Sequence, residues 1–513
     1  MPDTSPAPWW KSAVFYQIYP RSFSDSTGNG VGDLAGITRH LDHLCWLGVD
    51  ALWISPFFRS PMADFGYDVS DYCDVDPIFG TLDDFDALLA ACHERGLRVI
   101  IDWVPAHTSS EHPWFREARR SKSSPRRDWY VWRDPGPDGE LPNNWRAAFG
   151  DRPPAWTLEP GTGQLYLHSF LAEQPDLNWE NPDLRAAMHD TLRFWLDRGV
   201  DGFRADVVHN IGKDPELASV DPKLAAIPHC ALNDEPATHP LLREIRALLD
   251  GYDGDRMMIG EVFLLDTAQV AAYYGRNDEL HLSFNFPPMF AAWAADAWRQ
   301  SIEQTCAVLD PIDAWPSWVL SNHDRPRHRT RYETEARARA ASVLLLGLRG
   351  TPFLYMGEEL GLEDAVVPED RVVDPGGRDG CRAPIPWRSG GDRGWPGEPW
   401  LPWPPDADER SAERQRERPD SMLHLYRRVL AARRASPALQ LGAQRLLDAP
   451  EGVLAWERRQ GDDRRIVAIN FRDVPADLDL GRGLEGVVSS RGRGEGDAWD
   501  GKLEGDEAVI LAG

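Results

Sequence analysis

No apolar run in this chain is long enough to span a bilayer, and the opening stretch MPDTSPAPWWKSAVFYQ has neither the basic start nor the continuous apolar core of a secretory signal. These absences lead to the expectation of a soluble, cytoplasmic protein with no membrane partner. Cysteine is sparse as well: Cys45, Cys73, Cys92, Cys230, Cys306 and Cys381 lie far apart with no CxxC pair, so neither a zinc knuckle nor a disulfide framework is signalled. Basic charge is in short supply, 56 Lys and Arg against 82 Asp and Glu, and the net charge of −26 repels nucleic acid and anionic membranes. A neutral or cationic partner suits this balance.

What is present is a globular composition, 42% hydrophobic over 513 residues, which is more chain than one simple core can use. One pattern recurs in it: an amphipathic helical stretch ends in glycine and an apolar run follows at once, as in LCWLGVDALWISP, CHERGLRVIIDWVP, WLDRGVDGFRAD and LLGLRGTPFLYMG. Glycine suits a left-handed helix cap, and apolar runs without strict alternation suit strands covered on both faces. Thr81 with Asp84 reads as a capping box, and Asn181 before Pro182 as a helix start. With AVFYQIYP, RMMIGEV, ELHLSFNF and WPSWVLSNHD the pattern yields about eight strands, and so predicts an α/β fold, a (β/α)₈ TIM barrel in preference to an open doubly wound sheet. The alternation breaks twice. Residues 108–178 are rich in Pro, Gly, Trp and charge, and beyond 436 short β-like runs such as VLAWERR and RRIVAIN follow turn signals. The predicted organisation is a barrel over 1–107 and 179–435, an inserted segment over 108–178 and a C-terminal antiparallel β-sandwich over 436–513.

Acidic residues close several predicted strands: Asp102, Asp206, Glu261 and Asp324. In a barrel of this kind they converge on one mouth. Any one of them alone reads as a helix cap or the partner of a nearby base; four together, with His107 and His323 beside them, read as chemistry. Residues i and i+2 of a strand share a face, so Arg204 and Asp206 both point inward, and a guanidinium should lower the Asp206 pKa and keep it ionised. Glu261, surrounded by anions, should stay protonated. One ionised and one protonated carboxyl across a scissile bond is what glycoside hydrolysis with retention requires, with the two carboxyls about 5 to 5.5 Å apart.

The segments YQIYPRSF, DFGYDVSDY, DWVPAH, QPDLN, GFRADVV, GEV, SNHDRPR and RDGCRAPIPW resemble, in order, those of the α-amylase family of glycoside hydrolases, most closely its α-glucosidase and oligo-1,6-glucosidase branch. The resemblance implies a barrel with an inserted B domain after strand 3 and a C-terminal β domain. It implies Asp206 as nucleophile, Glu261 as general acid and base, and Asp324 as a third carboxylate on the ring hydroxyls. Arg204, His107 and His323 would hold that constellation, Tyr67 would be an aromatic platform and Phe170 a second wall. Asp64 and Arg382 match the pair that closes the pocket around a terminal glucose in exo-acting members. The implied activity is removal of glucose from the non-reducing end of short α-1,4 or α-1,6 oligosaccharides. An enzyme making trehalose or sucrose isomers on the same site is the alternative, and a non-catalytic scaffold or a metal-dependent hydrolase the remote ones. The implied protein is a monomer or small homo-oligomer.

Some positions depart from the family. Ala106 stands where many relatives carry Asn, which argues against the calcium site some α-amylases build there. The loop DSTGNGVGD resembles one that binds Ca²⁺ in several oligo-1,6-glucosidases; Asp25, Thr27, Asn29, the Val31 carbonyl and Asp33 would be its ligands, and a Gly-rich turn capping the next helix is the other reading. No cofactor is needed for the chemistry. Val207, after the nucleophile, tends in this family to accompany α-1,6 preference, a selectivity of about 1 to 3 kcal/mol. Among the 22 tryptophans, Trp46, Trp53 and Trp195 read as framework, whereas Trp145, Phe149 and Trp156 are candidates for the leaving-group site. His209 reads as a wall residue.

Overall fold

Apolar runs between helices can bury both faces only in a sheet covered on both sides, and that is where they lie. The computed structural model describes residues 7–513; residues 1–6, which begin the stretch read above for a signal, lie outside the described residues. Eight strands, β1 (Phe15–Ile18), β2 (Ala51–Ile54), β3 (Arg98–Trp103), β4 (Gly202–Ala205), β5 (Met257–Gly260), β6 (Leu282–Ser283), β7 (Ser317–Val319) and β8 (Thr351–Tyr355), form one parallel sheet in the order β6-β5-β4-β3-β2-β1-β8-β7. Side chains close the remaining gap: Ser317 Oγ donates to the Ser283 carbonyl at 2.7 Å and accepts from the Asn285 amide at 3.3 Å. The result is a (β/α)₈ barrel.

The helix signals hold in detail. Thr81 and Asp84 form a reciprocal capping box, and Asn181 Oδ1 accepts from the amides of Asp183 and Leu184 with Pro182 at the first helical position. Gly199 ends that helix at φ 104°, where a side chain would be strained. The last unit differs, because the helix Glu335–Gly347 ends through an extended Leu348. Its Gly350 serves close approach instead: a Cβ there would stand 2.6 Å from the Pro316 carbonyl oxygen.

The barrel interior is filled, not hollow. Phe15, Trp53, Ile100, Ile259, Phe284 and Phe353 pack together within it, as the inward side chains of such barrels do. Two residues beyond Ile100 and Ile259, and so on the same inward face, come Asp102 and Glu261. Apolar side chains thus form the floor on which the polar groups stand.

Between β3 and the helix Pro182–Arg198, the chain forms the helix Pro113–Ala118 and a three-stranded antiparallel sheet ordered Trp132–Arg133, Gln164–Leu167, Trp156–Glu159. Past the helix Pro437–Leu441, five strands make an antiparallel sheet and two short ones a second. One face of the larger sheet docks on the barrel, where Trp456 Nε1 donates to the Gly347 carbonyl at 3.0 Å. No helix among the described residues is long and apolar enough to cross a membrane.

Candidate active site

Arg204 organises the floor of the site. It lies on β4 in register with Asp102 on β3 and Ile259 on β5, so its side chain meets groups from both neighbouring strands. One terminal nitrogen donates to Asp102 Oδ1 and Asp206 Oδ1, each at 2.6 Å, and the other to Glu261 Oε2 at 2.5 Å. Trp53 Nε1 holds the second oxygen of Asp102 at 2.8 Å. Asp102 was expected at the mouth with the other strand-end acids; it lies beneath them, fully buried, as the support of Arg204. Burial raises its pKa to about 6 against the pull of Arg204.

Arg204 does pull the Asp206 pKa down, as expected, but the conclusion that this holds the carboxyl at an ordinary ionised value is overturned. Burial first, and then Glu261 and Asp102, push the Asp206 carboxyl well above the usual carboxylate range, with Arg204 opposing them. The physical reason is that one guanidinium is divided among three largely buried carboxylates. Both hydrogen bonds to Glu261, from Arg204 and from the Val207 amide at 3.1 Å, fall on Oε2, which leaves Oε1 to the cavity.

Val207 carries backbone strain. Its φ of 33° is in the left-handed region, where a β-branched residue rarely stands. The strained turn aims its amide at Glu261 and places its side chain in the cavity wall.

Asp324 stands opposite, in a different field. Burial opposes its charge, but His323, Arg378 and Arg382 together hold it well below the usual carboxylate range. Burial lowers His323 to about 3, so at neutral pH the two arginines carry this effect. Gln17 Nε2 lies 2.7 Å from His323 Nδ1, and Tyr67 Oη lies 2.6 Å from His323 Nε2, with the two rings parallel.

The Asp64–Arg382 pair expected at the closed end does not form. Arg378 takes Asp64, at 2.5 Å, together with Asp324 at 3.0 Å and Asp374 at 2.6 Å. Arg382 is fully buried behind it, donating to the His323 carbonyl at 2.8 Å and to Asp374 and Asp324 at 3.1 and 3.2 Å. The segment RDGCR offers two arginines four apart on a short 3₁₀ turn, and only the first reaches the cavity.

His107 completes this end. Its Nε2 lies 3.1 Å from the Tyr67 carbonyl and 3.0 Å from Gln174 Nε2, and Gln174 in turn donates to Asp64 at 3.1 Å. Phe170 packs on His107 with centroids 5.2 Å apart, and Phe149 lies between Phe170 and Arg378. Trp145 and Trp156, candidates for the leaving-group site, are framework: they pack in a separate buried cluster of the inserted segment, with Trp145 stacked on His229. His209 lines the cavity, its Nε2 held at 2.5 Å from the Cys230 carbonyl. Together these elements enclose a cavity of about 580 Å³ bordered by Tyr67, Asp206, Glu261 and Asp324, within the usual range for a small-molecule site.

Sequence reasoning missed Arg378, Gln17 and Gln174. All three lie inside segments that carried the resemblance, RDGCRAPIPW, YQIYPRSF and QPDLN, so the motif rather than the single residue was the signal.

The loop 25–33 does not fit a cation as arranged. Asp25 accepts from the amides of Thr27, Gly28 and Gly30, Asp33 from those of Ser26 and Gly36, and Asn29 Oδ1 from that of Val31. All four carboxylate oxygens are spent on backbone N–H, and among the described residues no third acidic, His or Cys ligand joins them. Asp33 caps the helix Leu34–Arg39, which is the turn reading of DSTGNGVGD, and no step of the chemistry is routed through an ion.

Residues 17–442 match the family described as Alpha amylase, catalytic domain. A protein of Rhizobium meliloti named probable alpha-glucosidase is 42% identical over 509 residues, covering 92% of this chain and 91% of its own length. An oligo-1,6-glucosidase of Parageobacillus thermoglucosidasius is 36% identical over 516 residues, covering 91% of each. The crystal structure of an alpha-glucosyl transfer enzyme superposes with a TM-score of 0.91 at 41% identity, covering 99% of this chain and 100% of its own.

Proposed function

The chain belongs to the alpha-amylase family, and on that premise we propose that it is a retaining, exo-acting α-glucosidase that removes terminal non-reducing α-linked glucose from short oligosaccharides. The observation that carries this reading is the shared guanidinium: adjacent nitrogens of Arg204 hold Asp206 and Glu261, which suits the close spacing of a retaining pair.

Asp206 attacks the anomeric carbon while Glu261 gives its proton to the departing oxygen, forming a glucosyl ester and a free leaving group. Glu261, now ionised, takes a proton from water, whose oxygen attacks the same carbon from the face that the leaving group vacated. The C–O bond to Asp206 breaks, and glucose leaves with its α configuration. Asp324, kept ionised by Arg378 and Arg382, accepts from ring hydroxyls and favours the positive charge that builds on the sugar. His107 and His323, neutral through burial, can hydrogen-bond hydroxyls without adding charge. The bridge from Asp64 to Arg378 bounds the cavity on that side and supports recognition of a chain end over cleavage within a chain. Val207 lines the wall where the linkage is read, in keeping with α-1,6 substrates alongside α-1,4 ones.

Asp206→Asn and Glu261→Gln test this. Each variant is predicted to lose at least about 10³-fold in kcat on maltose and isomaltose, of the order seen when a covalent-catalysis group is removed; retained turnover in the first would refute its role. Glucosyl transfer is the second reading, favoured by the 41% identity to a solved alpha-glucosyl transfer enzyme. It shares the ester intermediate and differs only in the acceptor, so product analysis at high maltose or sucrose separates the two. All six cysteines are free, three of them buried, which supports the cytoplasmic, reducing location expected from the sequence.

A further inference from the structure

Most charges in the cavity are matched. Arg204 is divided among Asp102, Asp206 and Glu261, and Arg378 among Asp64, Asp324 and Asp374. Two further guanidiniums of the same wall are not, because among the described residues no carboxylate lies within ion-pair distance of Arg152 or Arg325. Arg325 lies over two phenyl rings, 5.1 Å from the centroid of Phe263 and 5.3 Å from that of Phe290. Stacking uses the faces of a guanidinium and leaves its N–H edge unspent. Arg152 is exposed and spends one N–H on the Ala226 carbonyl at 3.0 Å.

Unmatched cations are out of place in a site whose reaction makes the sugar carbon positive, since they raise the barrier for any charge that develops near them. They are in place beside a departing group that is itself negative. Their surroundings put them there: Phe263 follows the acid Glu261 by two residues, and the Arg152 contact at Ala226 adjoins Ile227 and Pro228 of the same wall. The far end, by contrast, is taken by Asp64 and Arg378. Resting on the glucosidase reading, we infer that Arg325, assisted by Arg152, forms a subsite for an oxyanion on the leaving group, so that the preferred substrates are α-glucosides whose departing portion carries a phosphate or carboxylate. The guanidinium fork matches either oxyanion, and a chain of net charge −26 repels such ligands everywhere except where local positive charge is left unpaired.

The test uses matched pairs: trehalose 6-phosphate against trehalose, and 4-carboxyphenyl α-glucoside against its methyl ester. For each pair the ratio of kcat/KM, anionic over neutral, is measured for the native protein, Arg325→Gln, Arg325→Lys and Arg152→Gln. Comparing ratios between proteins cancels the intrinsic reactivity of the leaving groups, and turnover of the neutral member reports that each variant has folded. Arg325→Gln is predicted to lower the ratio about tenfold or more, the weight of a charged hydrogen bond, and Arg325→Lys to restore part of it. Arg152→Gln is predicted to lower it less, and 0.5 M salt to shrink the native preference. An effect in the first pair alone assigns the subsite to sugar phosphates, and in the second alone to carboxylated aglycones. Ratios unchanged by Arg325→Gln and Arg152→Gln, with the neutral members still hydrolysed, would overturn the subsite alone. Failure to hydrolyse any of the four while maltose or isomaltose is turned over would likewise overturn the subsite, and failure on maltose and isomaltose too would overturn the glucosidase reading beneath it.

Discussion

Asp206 and Asp324 are aspartates of one cavity held in opposite electrostatic states, and the difference is measurable without substrate. An aspartate in the unfolded chain ionises near pH 4 (about 3.9). Asp206 in the fold ionises at higher pH, so above pH 4 the unfolded chain sheds a proton that the fold retains, and Asp206 costs stability as pH rises. Asp324 ionises lower when folded; its contribution is present above pH 4 and lost as pH falls below it. At pH 7, Asp206→Asn is therefore predicted to raise Tm while it abolishes turnover, and Asp324→Asn to lower Tm, by thermal unfolding of the three proteins side by side. The reverse order would contradict both assignments. That these acids matter was legible because each ends a strand run. The direction at Asp206 was not, because Arg204 two residues away is visible in the sequence, but its division among Asp102, Asp206 and Glu261 is visible only once three strands lie side by side. Arg382 was chosen over Arg378 for the same kind of reason, since spacing does not say which of two arginines on one turn faces a cavity.

At the scale of elements, a buried ion pair is among the ties between the inserted segment and the barrel. Lys213 Nζ lies 3.0 Å from Asp176 Oδ2, with side chains 8% and 0% exposed, and Asp176 accepts from both the amide and the hydroxyl of Ser169. Ser169 precedes Phe170 of the cavity wall. Lys213→Met leaves a buried carboxylate unpaired, which costs about 3 to 5 kcal/mol, and is predicted to lower Tm and raise KM more than it lowers kcat. Adding Asp176→Asn is predicted to recover part of the stability; a double variant as unstable as the single would show that the unpaired carboxylate is not the source of the loss. Four barrel strands, β2, β3, β4 and β8, were readable from helix, glycine and apolar run in succession, and the other four, the two-residue β6 among them, from their apolar runs alone. The inserted segment was readable only as an interruption, because its long-range pairs, such as Asp176 with Lys213, leave no local pattern. Its tryptophans misled for the same reason, Trp145 and Trp156 being consumed by a small core of their own.

Over the whole molecule, the barrel brings acids from β4, β5 and the loop after β7 around one cavity and leaves the C-terminal sheet docked on its outer helices. The family was legible from ordered motifs spread along the chain. The leaving-group side was not, because it depends on which arginines find carboxylates and which do not. The central claim is that Asp206 and Glu261 act as a retaining pair on one anomeric carbon, and its most direct measurement is the proton NMR spectrum of glucose released from maltose or isomaltose in the first moments of reaction, before mutarotation. Retention predicts the α-anomer first, with the β-anomer growing only at the mutarotation rate; β-glucose appearing first would contradict it.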